Sequence, residues 1–140
     1  MNKSDKIIDE IVQICNRLNI DTELDRVLQI QDDDLPKIVV RTGQEYLDPV
    51  DSATIKNFHL RWTIGISVEV YMIGDNPQVI KTELNKIWND FRTDFFQPGS
   101  IVLEYVAHGT FPELSRVVES PSSNPKISGQ IFDISITFFA

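Results

Sequence analysis

Large apolar residues alternate with smaller or polar ones, without a break, from Phe58 to Met72. Phe58, Leu60, Trp62, Ile64, Ile66, Val68, Val70 and Met72 are separated by His59, Arg61, Thr63, Gly65, Ser67, Glu69 and Tyr71. Period two is the side-chain period of a β-strand, and Trp, Thr, Ile, Val and Tyr suit a pleated surface. One face is expected to bury and the other to stay partly wet. At ~3.3 Å per residue the stretch spans about 50 Å. A compact chain of this length is roughly 37 Å across. The strand must then bend, with Gly65 the expected bulge, or carry an end to a subunit contact where unpaired backbone groups meet a neighbour.

Helical patterns flank this stretch. Ile7, Ile8, Ile11, Val12, Cys15 and Leu18 form one stripe at helical spacing, which predicts a helix over Ser4–Leu18 with Ser4 as its N-cap. Asp75-Asn76-Pro77 is a turn-then-helix signal, with Asp75 or Asn76 as cap and Pro77 at the first helical position. The second helix runs from there to Thr93 or Phe95, burying Ile80, Leu84, Ile87, Trp88, Phe91 and Phe95. Asp21–Leu28 reads as a short helix capped by Asp21, and Asp32-Asp33-Asp34 as a solvated turn. Strands are expected at Leu35–Val40, Ile101–Ala107, Leu114–Val118 (a short edge strand) and Ser128–Phe139. Arg41–Ile55 is expected to be a long loop, and long ordered loops are often contact surfaces.

The resulting order is α-β-β-α-β-(β)-β, in one domain over residues 1–140. The fold class is α+β: a mixed or antiparallel sheet of four to five strands, with two main helices on one face. The strands before and after the second helix form a parallel pair if they are adjacent.

Composition limits the chemistry. Formal net charge is −8, and no basic block offers the phosphate neutralisation that a nucleic-acid binder needs. An acidic surface past which DNA slides remains compatible with this charge. The lone Cys15 excludes an intrachain disulfide and belongs to the buried stripe of the first helix. The first residues lead into an amphipathic helix and not an apolar leader, and no apolar run reaches the ~18 residues of a membrane span. A protein made and kept in a cytoplasm, or in a particle assembled there, is expected. His59 and His108 stand far apart without a nucleophile setting, no Cys/His spacing suggests zinc, the aspartate run lacks the spacing of a calcium loop, and the six glycines form no phosphate cradle. No catalytic residue, metal or cofactor is assigned, and an enzyme is not expected.

Several segments together resemble a known family. They are the N-terminal amphipathic helix, Leu35-Pro-Lys-Ile-Val-Val40, the long alternating strand ending in Val68-Glu-Val-Tyr71, the Pro-led helix closing near Asp94–Gly99, and the strand Ile131–Phe139. The pattern resembles the tail terminator, or minor tail protein, of long-tailed bacteriophages, over most of the chain from Leu35 onward. The short Ile73–Pro77 turn and the Arg41–Ile55 loop depart from it. The resemblance implies a small α+β subunit that forms a hexameric ring. That ring caps the tail tube, stops its polymerisation and offers a surface to the head connector. DNA passes through the lumen without specific binding, and the ring sits at the head-proximal end of the tail in the virion. Tyr46, Asp48 and Asp51 in the long loop, with Phe58 and His59 at the strand end, are the expected interaction residues. Alternatives are another head–tail joining or neck protein, or a monomeric cytoplasmic domain with a small-molecule pocket between sheet and helices.

Overall fold

A computed structural model describes residues 2–27, 31–47, 61–107, 110–119 and 126–139. Its elements in chain order are helix α1 (Lys3–Asn16), strand β1 (Thr22–Leu24), a 3-10 turn (Asp32–Asp34) and strands β2 (Lys37–Leu47) and β3 (Arg61–Ile73). Helices α2 (Pro77–Phe95) and α3 (Ile101–Tyr105) and strands β4 (Glu113–Glu119) and β5 (Ile127–Phe139) follow. The five strands form one mixed sheet in the order β1-β2-β3-β5-β4, and the helices pack on one face, as expected.

Strand β3 is the centre. It pairs antiparallel with β5 along its whole length, from Arg61↔Phe139 to Ile73↔Ile127. Its expected inner residues Ile64, Ile66, Val68, Val70 and Met72 are buried against Phe132, Ile134, Ile136 and Phe138 of β5. Trp62 is partly buried on the same face, while Phe58 and Leu60 lie outside the described residues. The bulge is not in β3: the register shifts between Thr42 and Glu45, so Gly43 and Gln44 of β2 together oppose Gly65. A Cβ at Gly43 would stand 2.8 Å from the Gly65 carbonyl oxygen, and this close backbone approach requires glycine.

Helix α2 behaves as its sequence requires. The Asn76 side chain accepts hydrogen bonds from the N–H groups of Gln78 and Val79, and Pro77 opens the helix where no N–H is needed. Ile80, Leu84, Ile87, Phe91 and Phe95 are buried. The ring of Phe132 lies 4.9 Å from each of the rings of Trp88 and Phe91. In α1 the N-cap is Asn2 and not Ser4. Asn2 Oδ1 accepts from the Asp5 N–H at 2.9 Å and from the Ser4 hydroxyl at 2.9 Å, and Ser4 itself is buried within the first turn. Ile7, Ile11, Ile14 and Cys15 form its buried face.

Three expected elements differ. Asp21–Leu28 is not a helix: Thr22–Leu24 pairs parallel with Ile38–Val40. Asp25 then turns the chain with φ of 50°, and its carboxylate accepts from the N–H and hydroxyl of Thr42. The ladder to Ile38–Val40 and the tie from Asp25 to Thr42 are long-range contacts that override the local helix preference of the segment. Residues 41–47 are not loop but the outer half of β2, because the bulge lets pairing continue past Gly43. Ile101–Ala107 is not a strand. Ser100 caps α3 by accepting from the Leu103 N–H, and only the single bridge Val106↔Phe138 remains of the expected pairing. The parallel pair expected between the long strand and Ile101–Ala107 is therefore absent: β5 is the antiparallel neighbour of β3, and β4 lies beyond it.

Candidate functional site

Of the five expected interaction residues, Tyr46 is described. It lies on β2 opposite Thr63 and is 44% exposed, one residue before the last described residue of β2. Asp48, Asp51, Phe58 and His59 lie outside the described residues, as does His108. Among the described residues no three His, Cys, Asp or Glu side chains are grouped to hold a metal ion, and no helix is long and apolar enough to cross a membrane. Cys15 is fully buried, and burial pushes its thiol up to about 12, which removes the reactive thiolate at ordinary pH.

The surface chemistry concentrates at the two outer ends of the sheet. At one end β4 is the edge strand, with Val117 52% and Val118 59% exposed. Beside it runs the β4-facing flank of α2, where Lys81, Asn85, Trp88 and Arg92 recur at helical spacing. Arg116 of β4 donates through Nη1 to Asn85 Oδ1 at 2.9 Å and lies 5.7 Å from the Trp88 ring centre, and Arg92 covers that ring at 5.2 Å. Gln130 anchors the floor, its Nε2 donating to the Leu84 carbonyl at 2.8 Å. Between Pro77, Ile80, Lys81, Arg116 and Val118 lies a cleft of about 370 Å³. Among the described residues no carboxylate pairs with Lys81, Arg92 or Arg116.

The opposite end has the reverse character. Helix α1 turns Asp5, Ile8, Asp9 and Val12 toward β1 and β2, where they meet Leu24, Asp25, Glu45 and Ile64 around a cleft of about 600 Å³. The floor is apolar and the rim carries four carboxylates. Among the described residues no Lys or Arg pairs with them. The cations of α1 are turned elsewhere: Lys3 and Lys6 lie over the Tyr105 ring, and Arg17 pairs with Asp94 of α2 at 3.0 Å.

On the face away from the helices, near β1, an ionic network is already satisfied internally. Lys37, 5% exposed, places Nζ 2.8 Å from Asp21 and 3.1 Å from Glu23. Arg26 bridges Glu23 at 2.7 Å and Asp34 at 2.9 Å, and Arg41 pairs with Glu69. Hydrogen bonds from Arg26 and then Lys37 hold the Glu23 carboxyl below its ordinary value. The Gln31 N–H and the charge of Arg26 hold Asp34 low as well. Lys37 is correspondingly raised by Asp21 and Glu23. The aspartate run read as a solvated turn thus supplies an anchor, Asp34.

The acidic and basic flanks were not legible as a pair. The residues that face outward on α2 follow from its periodicity, but that Asp5 and Asp9 share a rim with Glu45 depends on the bulge and on the parallel placement of β1. Compared with known proteins, the chain matches no family model and no curated protein.

Proposed function

We propose that this chain is a structural subunit of a phage tail: a tail terminator whose hexameric ring caps the tail tube, stops its polymerisation and offers its far side to the head connector. The observation that carries this reading is the sheet with two unlike outer ends. A surface that differs from its opposite side associates head to tail, and head-to-tail contacts close into rings when the rotation per subunit permits. The resemblance of Leu35–Val40, Val68–Tyr71 and Ile131–Phe139 to tail terminators supports the same assignment. In this reading Tyr46, on the outer half of β2, meets the tube or the connector, and DNA traverses the lumen without being held.

The test is particle mass against protein concentration, with negative-stain images of the largest species. A ring of about six copies that binds purified tail tubes supports the terminator. A ring that binds DNA-filled heads and ignores tubes reassigns the chain to the neck. A chain that stays monomeric and binds neither overturns the reading in favour of a monomeric binding domain.

A further inference from the structure

We infer that the acidic flank of α1 in one copy docks onto the basic flank of α2 and β4 in the next, so that these two surfaces are the subunit contact. This rests on the ring reading above and specifies which side chains make the ring. The sheet order places the two flanks at opposite ends of one molecule: α1 lies by β1 and β2, and α2 with β4 closes the other end. Each flank combines exposed apolar surface with one sign of charge. Leu24 is half exposed within the acidic cleft, and Val118 is more than half exposed beside the basic one.

The charge pattern selects the occupant. Asp5, Asp9 and Glu45 on one side face outward without a basic partner, as Lys81, Arg92 and Arg116 do without an acidic one, among the described residues. Elsewhere the described lysines and arginines are largely spent on internal pairs or on Tyr105. A two-fold contact of either flank with itself would set like charges opposite each other, which costs several kcal/mol in general. Contact of one flank with the other matches sign to sign, and only the head-to-tail arrangement does so. Directionality is thus built into the surface: each copy has one acceptor and one donor side, and a closed ring satisfies every side. The aromatic step of Trp88, with Arg116 and Arg92 stacked on it, gives the basic flank a rigid platform, since both guanidinium groups are held before any partner arrives.

Two charge-reversed variants test this directly. One carries Asp9→Lys and Glu45→Lys, the other Lys81→Glu and Arg92→Glu. All four positions are exposed. Sedimentation velocity should show each variant alone needing roughly tenfold or more higher concentration than wild type to assemble. Mixed in equal amounts, the two should assemble again, because each now offers the flank that the other lacks, and the product should contain both in alternation. Reassembly also shows that both variants are folded. If each variant alone forms rings like wild type, or if the mixture stays dissociated while both variants keep wild-type circular dichroism, the flank contact is overturned and the ring reading stands. If wild type itself never associates, alone or on tail tubes, both are overturned.

Discussion

The two faces of this sheet are built from the same strands and differ in nearly everything else. On the helical face Ile64, Ile66 and Val68 of β3 meet Ile136, Ile134 and Phe132 of β5 across the ladder, all of them buried. On the other face the intervening positions Thr63, Gly65 and Ser67 meet Thr137, Ser135 and Asp133. There the Thr63 and Thr137 hydroxyls bond each other at 2.9 Å, and toward β1 charged side chains take over. One face is held by area removed from water and by packing, so it is sensitive to volume. The other is held by hydrogen bonds and ion pairs that water competes for, so it is sensitive to pH and tolerant of shape.

That contrast can be broken by substitution. The largest effect should come from Phe132→Ala, which empties the space between Trp88 and Phe91. A loss of about 3–5 kcal/mol is expected in urea unfolding, and a loss like that of a surface change would place the core elsewhere. Gly43→Ala should cost about 1–3 kcal/mol, since the new Cβ meets backbone that has little room to move. A thermal melt that matched wild type would mean that the bulge relaxes freely. Asn76→Ala removes the acceptor for two N–H groups at the start of α2, with about 1 kcal/mol expected.

Acid sharpens the comparison from the other side. Glu23 and Asp34 have folded-state values below their ordinary 4.5 and 3.8. Their contribution is therefore present above those ordinary values and is lost as pH falls through the folded ones. Arg26→Met should reduce the part of the acid destabilisation that wild type shows between neutral pH and pH ~3, read as the change in urea midpoint across that interval. An equal acid loss in both proteins would remove the network from the pH response. The smallest effect should be Ser67→Val on the open face, within about 0.5 kcal/mol of wild type. A penalty comparable to that of Phe132→Ala would show that this face is covered in solution.

How far the sequence could be read follows from where each residue's structure is decided. Pro77 and Asn76 act within one turn of themselves, and the alternation of Ile64–Met72 needs only a sheet to lie in, so both were legible. Ile101–Tyr105 was not. Its Ile, Val and Tyr favour strands locally, yet Ser100 caps the segment and its packing against α1 decides the outcome. Thr22–Leu24 was misread for a related reason: the acids and leucines around it suit a helix, but the ladder to Ile38–Val40 is a long-range partner that no local window contains. The expected loop Arg41–Ile55 begins as strand, because Gly43, which looks like a break in pairing, is a bulge inside it. The candidate flanks join α1 to β2 and α2 to β4, so their composition was visible while their assembly into two surfaces was not.

The bulge at Gly43 and Gln44 has a consequence for which side chains the outer half of β2 presents. Before it, even-numbered residues of β2 (Ile38, Val40, Thr42) face the helices, and beyond it the odd-numbered Glu45 and Leu47 do. Losing one of these two residues would restore regular pairing and keep Glu45 opposite Ile64 and Tyr46 opposite Thr63, whereas a ladder that closed the bulge at full chain length would slide by one residue and exchange the two sides of everything that follows. Tyr46 would then stand at the rim of the acidic cleft and Glu45 on the open face. The one extra residue at the bulge is therefore what turns Glu45 toward the helices and Tyr46 away from them, so the register of the ladder, and not the identity of a side chain, decides which residue the outer half of β2 shows to a neighbour.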